Sequence, residues 1–328
     1  MKALNRPLLY GGLTAALIVL SILSLSIGRV WVPFEAWFDP GSDPRWPILL
    51  ELRAPRTVLA LLVGAALGLS GAALQGYTRN PLADPGVLGV SAMAALGAVL
   101  TLYYGVAALA PWALPVAAVA GALLGVIVLM LLSGTASSMV SFLLAGAILS
   151  VVASAGVSLA LSLAPNPWAV AEIVDWLMGS IEDRGWPEVR MAAPLIALGC
   201  GLLLTTGRAL DALTLGETGA RSLGVSLERT RWTLAAGVAL AAGACVAVTG
   251  VIGFVGLVTP HLLRPLVGAR PGALLGPSIL GGAVIVLAAD ILVRLAPSAA
   301  EVKLGVAMAA FGAPFFLMLL LRLRKRTA

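Results

Sequence analysis

Residues 232–267 read WTLAAGVALAAGACVAVTGVIGFVGLVTPHLLRPLV, and how this run is divided decides the layout of the whole chain. As one helix its 36 residues would span about 54 Å, whereas the hydrocarbon core of a bilayer is about 30 Å thick. The run must therefore turn, and Gly250 and Gly253 are the residues that allow it. This gives one crossing near 232–252 and a shorter one near 253–268, interrupted by Pro260 and carrying His261 and Arg264.

Working outward, eight further apolar runs are long enough to cross, at approximately 8–28, 56–76, 86–104, 112–132, 140–164, 191–206, 273–294 and 304–322. With residues 232–267 split, the total is ten. A composition of 60% hydrophobic and 11% charged residues excludes a soluble domain of this length, and 37 glycines suit helices packed closely in lipid. The expected fold is thus all-α and polytopic, with ten transmembrane helices in a single domain, 1–328. Cys200 and Cys245 lie inside apolar runs and suggest neither a disulfide nor a metal site.

An even count puts both basic termini on one side. With those termini in the cytoplasm, thirteen bases and four acids fall inside, against eight bases and ten acids outside, the sign the positive-inside rule demands. The long polar insert Thr205–Arg231, TTGRALDALTLGETGARSLGVSLERTR, is then cytoplasmic. Two short amphipathic helices fit it: Leu210, Leu213 and Leu215 cluster in the first, Gly216 breaks the pattern, Glu217 or Thr218 starts the second, and Gly224 stops it. An ordinary solvated loop is the plain alternative.

Four further features carry possible chemistry. Ser150, Ser154, Ser158 and Ser162 recur every fourth residue on the fifth span, a polar seam that serves either close packing or a path for solute. Arg53, Arg56 and Arg294 stand at the outer ends of spans, where arginines commonly snorkel to headgroups. Asp290 is costly in a membrane and pairs most simply with Arg294, one helical turn away. His261 is the sole histidine, which fits a packing residue better than a metal ligand, so no metal site is expected. No Gly-rich loop ending in Lys-Ser or Lys-Thr exists among the three lysines, so the chain cannot hold ATP by a P-loop.

Five stretches in order carry a resemblance: LRAPRTVLALLVGAALGLSGAALQGYTRNPLADPGVLGVSA from Leu52, WLMGS from Trp176, LGETGARSLGV from Leu215, GFVGLVTPHLLR from Gly253 and GAPFF from Gly312. The chain resembles the FecCD-type permease subunits of type II ABC importers, which carry iron chelates, haem or cobalamin. The resemblance implies inverted repeats over spans 2–5 and 7–10, and a homodimer in the bacterial inner membrane. It further implies two cytoplasmic ATPase subunits that hold ATP and Mg, a periplasmic substrate-binding protein as partner, and no cofactor or nucleic acid on this chain. It makes 205–231 a coupling insert, with Leu213, Leu215, Gly216, Glu217, Arg221 and Leu223 toward the ATPase. It assigns Arg53, Arg56 and Arg294 to docking of the binding protein, and the serine seam to the translocation path. Trp176 and Met178 become candidates for the outer gate, where an interfacial aromatic belt is the alternative. Glu301-Val302-Lys303-Leu304-Gly305 departs from the family, which has proline where this chain has Lys303.

Two other classes fit the chain less well. An ion-coupled secondary transporter needs buried mid-membrane acids, for which Asp290 alone is poor provision. An intramembrane enzyme needs a catalytic cluster, which one histidine and no paired acids do not supply.

Overall fold

The computed structural model describes residues 6–28, 30–38, 43, 45–110, 112–134, 138–268, 270–296 and 302–327. Lys2, Arg29, Glu301 and the side chains of the C-terminal bases, all used in the charge count above, lie outside what is described. Among the described residues there is no strand, and the helices are α1 (Arg6–Ser26), α2 (Ala54–Thr78), α3 (Val90–Tyr103), α4 (Val106–Leu109), α5 (Ala113–Ser133), α6 (Met139–Ser162), α7 (Pro167–Leu177), α8 (Trp186–Thr205), α9 (Gly207–Leu213), α10 (Gly216–Ser222), α11 (Leu227–Thr249), α12 (Val255–Val267), α13 (Pro271–Leu295) and α14 (Leu304–Thr327). Seven of them are long and apolar enough to cross a membrane, and three shorter apolar helices, Val90–Tyr103, Val255–Val267 and Leu304–Met318, occupy the segments expected for the third, eighth and tenth spans.

The decisive run divides where its glycines allow. α11 ends at Thr249, Gly250 takes a left-handed φ of 70°, and α12 begins at Val255 after Phe254, which also has positive φ. A Cβ on Gly250 would fall 2.1 Å from the Trp176 carbonyl oxygen, so sterics as well as backbone conformation require glycine there. α2 and α11, the first helices of the two expected repeats, are alike in being the most enclosed, each with 78% of its apolar window buried, against 28% for α5, α6 and α8. The chain thus has a central pair of helices with less enclosed helices around it.

Backbones meet at this centre. A Cβ on Gly71 of α2 would lie 1.9 Å from the Gly256 carbonyl oxygen of α12, and one on Gly64 would lie 2.3 Å from that of Gly282 on α13. In lipid, where apolar side chains gain little by leaving their solvent, such small-residue contact is what draws helices together. It explains why α2 buries so many small residues, among them Ala66, Ala72 and Ala73.

Helix starts follow local capping and ignore where the apolar runs begin. Ser226 accepts a hydrogen bond from Arg229 N at 3.3 Å, so α11 begins at Leu227 and takes up the polar residues 228–231 that the sequence pattern leaves in the insert. Glu188 Oε2 accepts from Gly185 N at 2.8 Å, which starts α8 at Trp186, ahead of the apolar run near 191. Proline at the first turn assists in α2, α7, α8 and α13.

Candidate functional site

The polar insert folds as α9 and α10, joined by a reversal at Gly216, whose φ is +89°. It is fastened to three spans. Leu210 is fully buried, its Cδ1 3.3 Å from where a Cβ on Gly76 of α2 would stand. Asp211 Oδ1 accepts from Gly272 N at 2.8 Å, at the positive end of α13. Glu217 Oε1 accepts from Met139 N at 2.9 Å, the first residue of α6.

Sequence reasoning marked six insert residues as partner contacts, and the structure divides them. Leu215 and Leu223 are 68% and 64% exposed, and Arg221 beside them is exposed too. Leu213, by contrast, is 3% exposed and packs into this chain's own core, because it lies on the same face of α9 as Leu210. Glu217 is half-buried and directed at α6, where a carboxylate satisfies one of the four N–H groups that a helix leaves unpaired at its start. The link joins residues 78 apart, and no local pattern announces it.

At the opposite end of α13 the arginines turn inward. Asp290 is fully buried; its Oδ1 accepts from Arg56 Nε at 2.9 Å and Nη2 at 2.8 Å, and its Oδ2 from Arg294 Nη2. Arg294 also donates to Ser24 O at 2.8 Å and Ser24 Oγ at 3.0 Å, and Ser24 Oγ lies 2.7 Å from Thr57 Oγ1. Arg53, only 6% exposed, donates to the carbonyls of Leu25 at 2.9 Å and Ser26 at 2.7 Å, and to that of Val30. These carbonyls stand at and just beyond the C-terminus of α1, where a helix leaves acceptors unpaired. The cluster therefore ties together α1, α2 and α13. Arg53, Arg56 and Arg294, which the resemblance assigns to docking, thus donate to groups of their own chain. The Asp290–Arg294 pair follows from i, i+4 spacing, whereas Arg56 joins from 234 residues away.

A cavity of about 850 Å³ opens beside this cluster, lined by all three arginines together with Glu51, Glu182 and Asp183. A second, of about 460 Å³, is lined by Glu172, Asp175, Glu188 and Lys303, among others. In the loop before α2 the Arg45 side chain, hydrogen-bonded to Asp43, holds that carboxyl down at about 2.

The serine seam is partly used. Ser150 Oγ donates to Gly86 O at 3.0 Å and fixes α6 against the short turn Pro85–Leu88, where a Cβ on Gly146 would lie 2.4 Å from Val87 O. Ser154, Ser158 and Ser162 are exposed, and so are Val151 (69%), Val152 and Leu159 (59% each), so this chain leaves that side of α6 uncovered. The two gate candidates also separate. Trp176 is a core residue at 9% exposure and Met178 is 37% exposed. The backbone between them and Ser180 is clamped: Ser180 N donates to Thr249 O at 2.7 Å, and Gly179 O accepts from Gly305 N at 2.9 Å. Among the described residues no group of three or more His, Cys, Asp or Glu converges, and His261 stacks edge-on against Phe315 at 5.8 Å.

Comparison with known proteins gives this arrangement a context. The model of the FecCD transport family matches residues 16–322. The chain is 38% identical over 316 residues to the vitamin B12 import system permease protein BtuC of Klebsiella pneumoniae, covering 96% of this chain and 94% of that protein. It is 40% identical to the Fe(3+) dicitrate transport system permease protein FecD of Escherichia coli, over 95% of this chain and 98% of that one. To the hemin transport system permease protein HmuU of Yersinia pestis it is 37% identical, over 97% of both chains. A solved metal-chelate type ABC transporter in an inward-facing conformation superposes with a TM-score of 0.88 at 34% identity, covering 97% of this chain and 100% of that chain. A helical bundle with several apolar spans, a polar insert fastened to it, and likeness of this extent lead to one assignment: the chain belongs to the FecCD transport family and is a multi-pass ABC-transporter permease.

Proposed function

We propose that this chain is the permease of an ATP-driven importer that brings a metal chelate from the periplasm into the cytoplasm, crossing the inner membrane ten times with both termini inside. The proposed cargo is an iron–siderophore complex, haem or cobalamin, the kind of solute printed in the names of its relatives. ATP and Mg are held by two separate cytoplasmic subunits, and a periplasmic binding protein delivers the chelate.

The observation that carries this reading is the insert. α9 and α10 are pinned to α2, α6 and α13 while offering Leu215, Arg221 and Leu223 outward. A push on those residues has a direct route, through Glu217, to the first turn of α6. Since α6 bears Ser154, Ser158 and Ser162 on a side that its own chain leaves open, the reading extends to a homodimer in which two copies of α6 flank the path. A conduit lined by hydroxyls and without charge releases a bulky chelate instead of gripping it.

The ion-coupled alternative loses support from the same structure. Asp290, the acid that a coupling ion would need, is already held by Arg56 and Arg294. The deciding experiment compares wild type with Leu215→Asp/Arg221→Glu/Leu223→Asp after extraction in mild detergent. A nucleotide-binding subunit should co-purify one-to-one with wild type and be lost from the variant, whose own folding is unchanged. If no ATPase accompanies wild type, and uptake collapses with the proton gradient at constant ATP, the importer reading fails.

A further inference from the structure

Three arginines at the end of the bundle that carries the insert have a cavity in common. Arg6 opens α1, Arg208 lies in the first turn of α9, and Arg270 immediately precedes α13; with Leu204, Thr205, Gly207, Asp211, Gly272 and Ala273 they line about 580 Å³. All three arginines are exposed, and Asp211, the one carboxylate in the lining, already accepts from Gly272 N. The lining therefore carries three guanidiniums against one carboxylate, a surplus of two positive charges gathered from three separate elements. This is the reverse of the Asp290 cluster, where the guanidiniums find partners inside the chain.

We propose that this cavity binds the phosphodiester headgroup of an anionic lipid from the cytoplasmic leaflet, and that a headgroup bearing two phosphates suits it better than one bearing a single phosphate. Guanidinium forks match phosphate oxygens, and basic pockets between spans at the cytoplasmic surface are suited to lipid headgroups. The surroundings favour a lipid over a soluble anion. Leu204, which contributes to the lining, is 46% exposed, so apolar surface for an acyl chain adjoins the charge. A bound headgroup would bridge α1, α9 and α13 and so brace the insert against the bundle.

The inference rests on the cytoplasmic placement of the insert, and its test is independent of transport. The full chain, in whatever complex it is extracted, is exchanged into detergent with cardiolipin or with phosphatidylethanolamine, and lipid adducts are counted by native mass spectrometry. Wild type should retain cardiolipin preferentially. Arg208→Gln/Arg270→Gln should lower that retention by roughly tenfold or more, while Arg229→Gln, at the start of α11, leaves it unchanged. Should the double variant fold poorly, Thr205→Glu puts a negative charge into the same cavity and should have the same effect. Equal retention by wild type and both variants, or no preference over phosphatidylethanolamine, overturns the proposal. Displacement of the lipid by millimolar inorganic phosphate overturns its lipid source and leaves a free-phosphate site. Labelling of Thr214→Cys in intact cells reports sidedness separately, and an absent ATPase with lipid retention intact would count against the importer reading alone.

Discussion

The two ends of the bundle use the same residue for opposite purposes. Around Asp290, Arg53, Arg56 and Arg294 direct their donors at one carboxylate and at carbonyls of α1 and the residues after it. Around the insert, Arg6, Arg208, Arg221 and Arg270 remain exposed. Seen only as letters near the ends of apolar runs, the two sets are indistinguishable. What separates them is whether a buried acceptor lies within reach, and that depends on helices far apart in sequence. The first set ties α1, α2 and α13 to one another, and the second makes no such tie.

The largest effect expected from this contrast is at Asp290. Asp290→Ala leaves two guanidiniums in a largely buried site without their carboxylate, and breaking such a pair costs about 3–5 kcal/mol. The melting temperature of the solubilised protein should fall sharply, whereas Arg221→Ala at the other end should shift it hardly at all. Equal shifts would erase the distinction. Next comes Arg53→Met, which strips donors from the carbonyls of Leu25 and Ser26; unsatisfied buried acceptors cost about 1–3 kcal/mol. Its counterpart Arg208→Met should be silent in the same melt in detergent free of anionic lipid, and a loss there would show that the exposed set is also structural.

Glu217 lies between these two behaviours, being half-buried and attached to a helix start. Glu217→Gln keeps an acceptor but removes the charge, so the expected loss of stability is about 1 kcal/mol or less. The sharper readout is functional. ATP hydrolysis should continue in the assembled complex while uptake per ATP falls, because the linkage from α10 to α6 is weakened. Unchanged uptake per ATP would mean that Glu217 only caps a helix.

Much of this architecture was legible in the chain itself. The turn near Gly250, the two short helices about Gly216 and the Asp290–Arg294 pair all follow from local rules: positive φ, helix stops and i, i+4 spacing. What escaped has two physical sources. Apolar runs mark the part of a helix that faces lipid or core, so the polar first turns of α8 and α11, set by Glu188 and Ser226, were read as loop. Pairings such as Arg56 with Asp290 and Glu217 with Met139 bridge 234 and 78 residues, and nothing in either neighbourhood specifies the partner. Leu213 was assigned outward because amphipathic spacing gives the apolar face without saying what covers it.

The smallest effect is expected at Lys303, and it tests whether burial or location separates the two sets of arginines. The Lys303 Nζ lies 3.0 Å from Asp175 Oδ2, with side-chain exposures of 24% and 58%. The pair lines the cavity of about 460 Å³, yet its carboxylate stays in solvent. Water and salt screen such a pair, so Lys303→Ala should cost no more than about 1 kcal/mol, and a double-mutant cycle with Asp175→Ala should give a coupling that fades as salt is raised. A salt-insensitive coupling as large as the loss at Arg53 would mean that this whole end of the protein is rigidly cross-linked, whatever its exposure. A small, screened coupling would leave burial as the property that commits a charge to the fold.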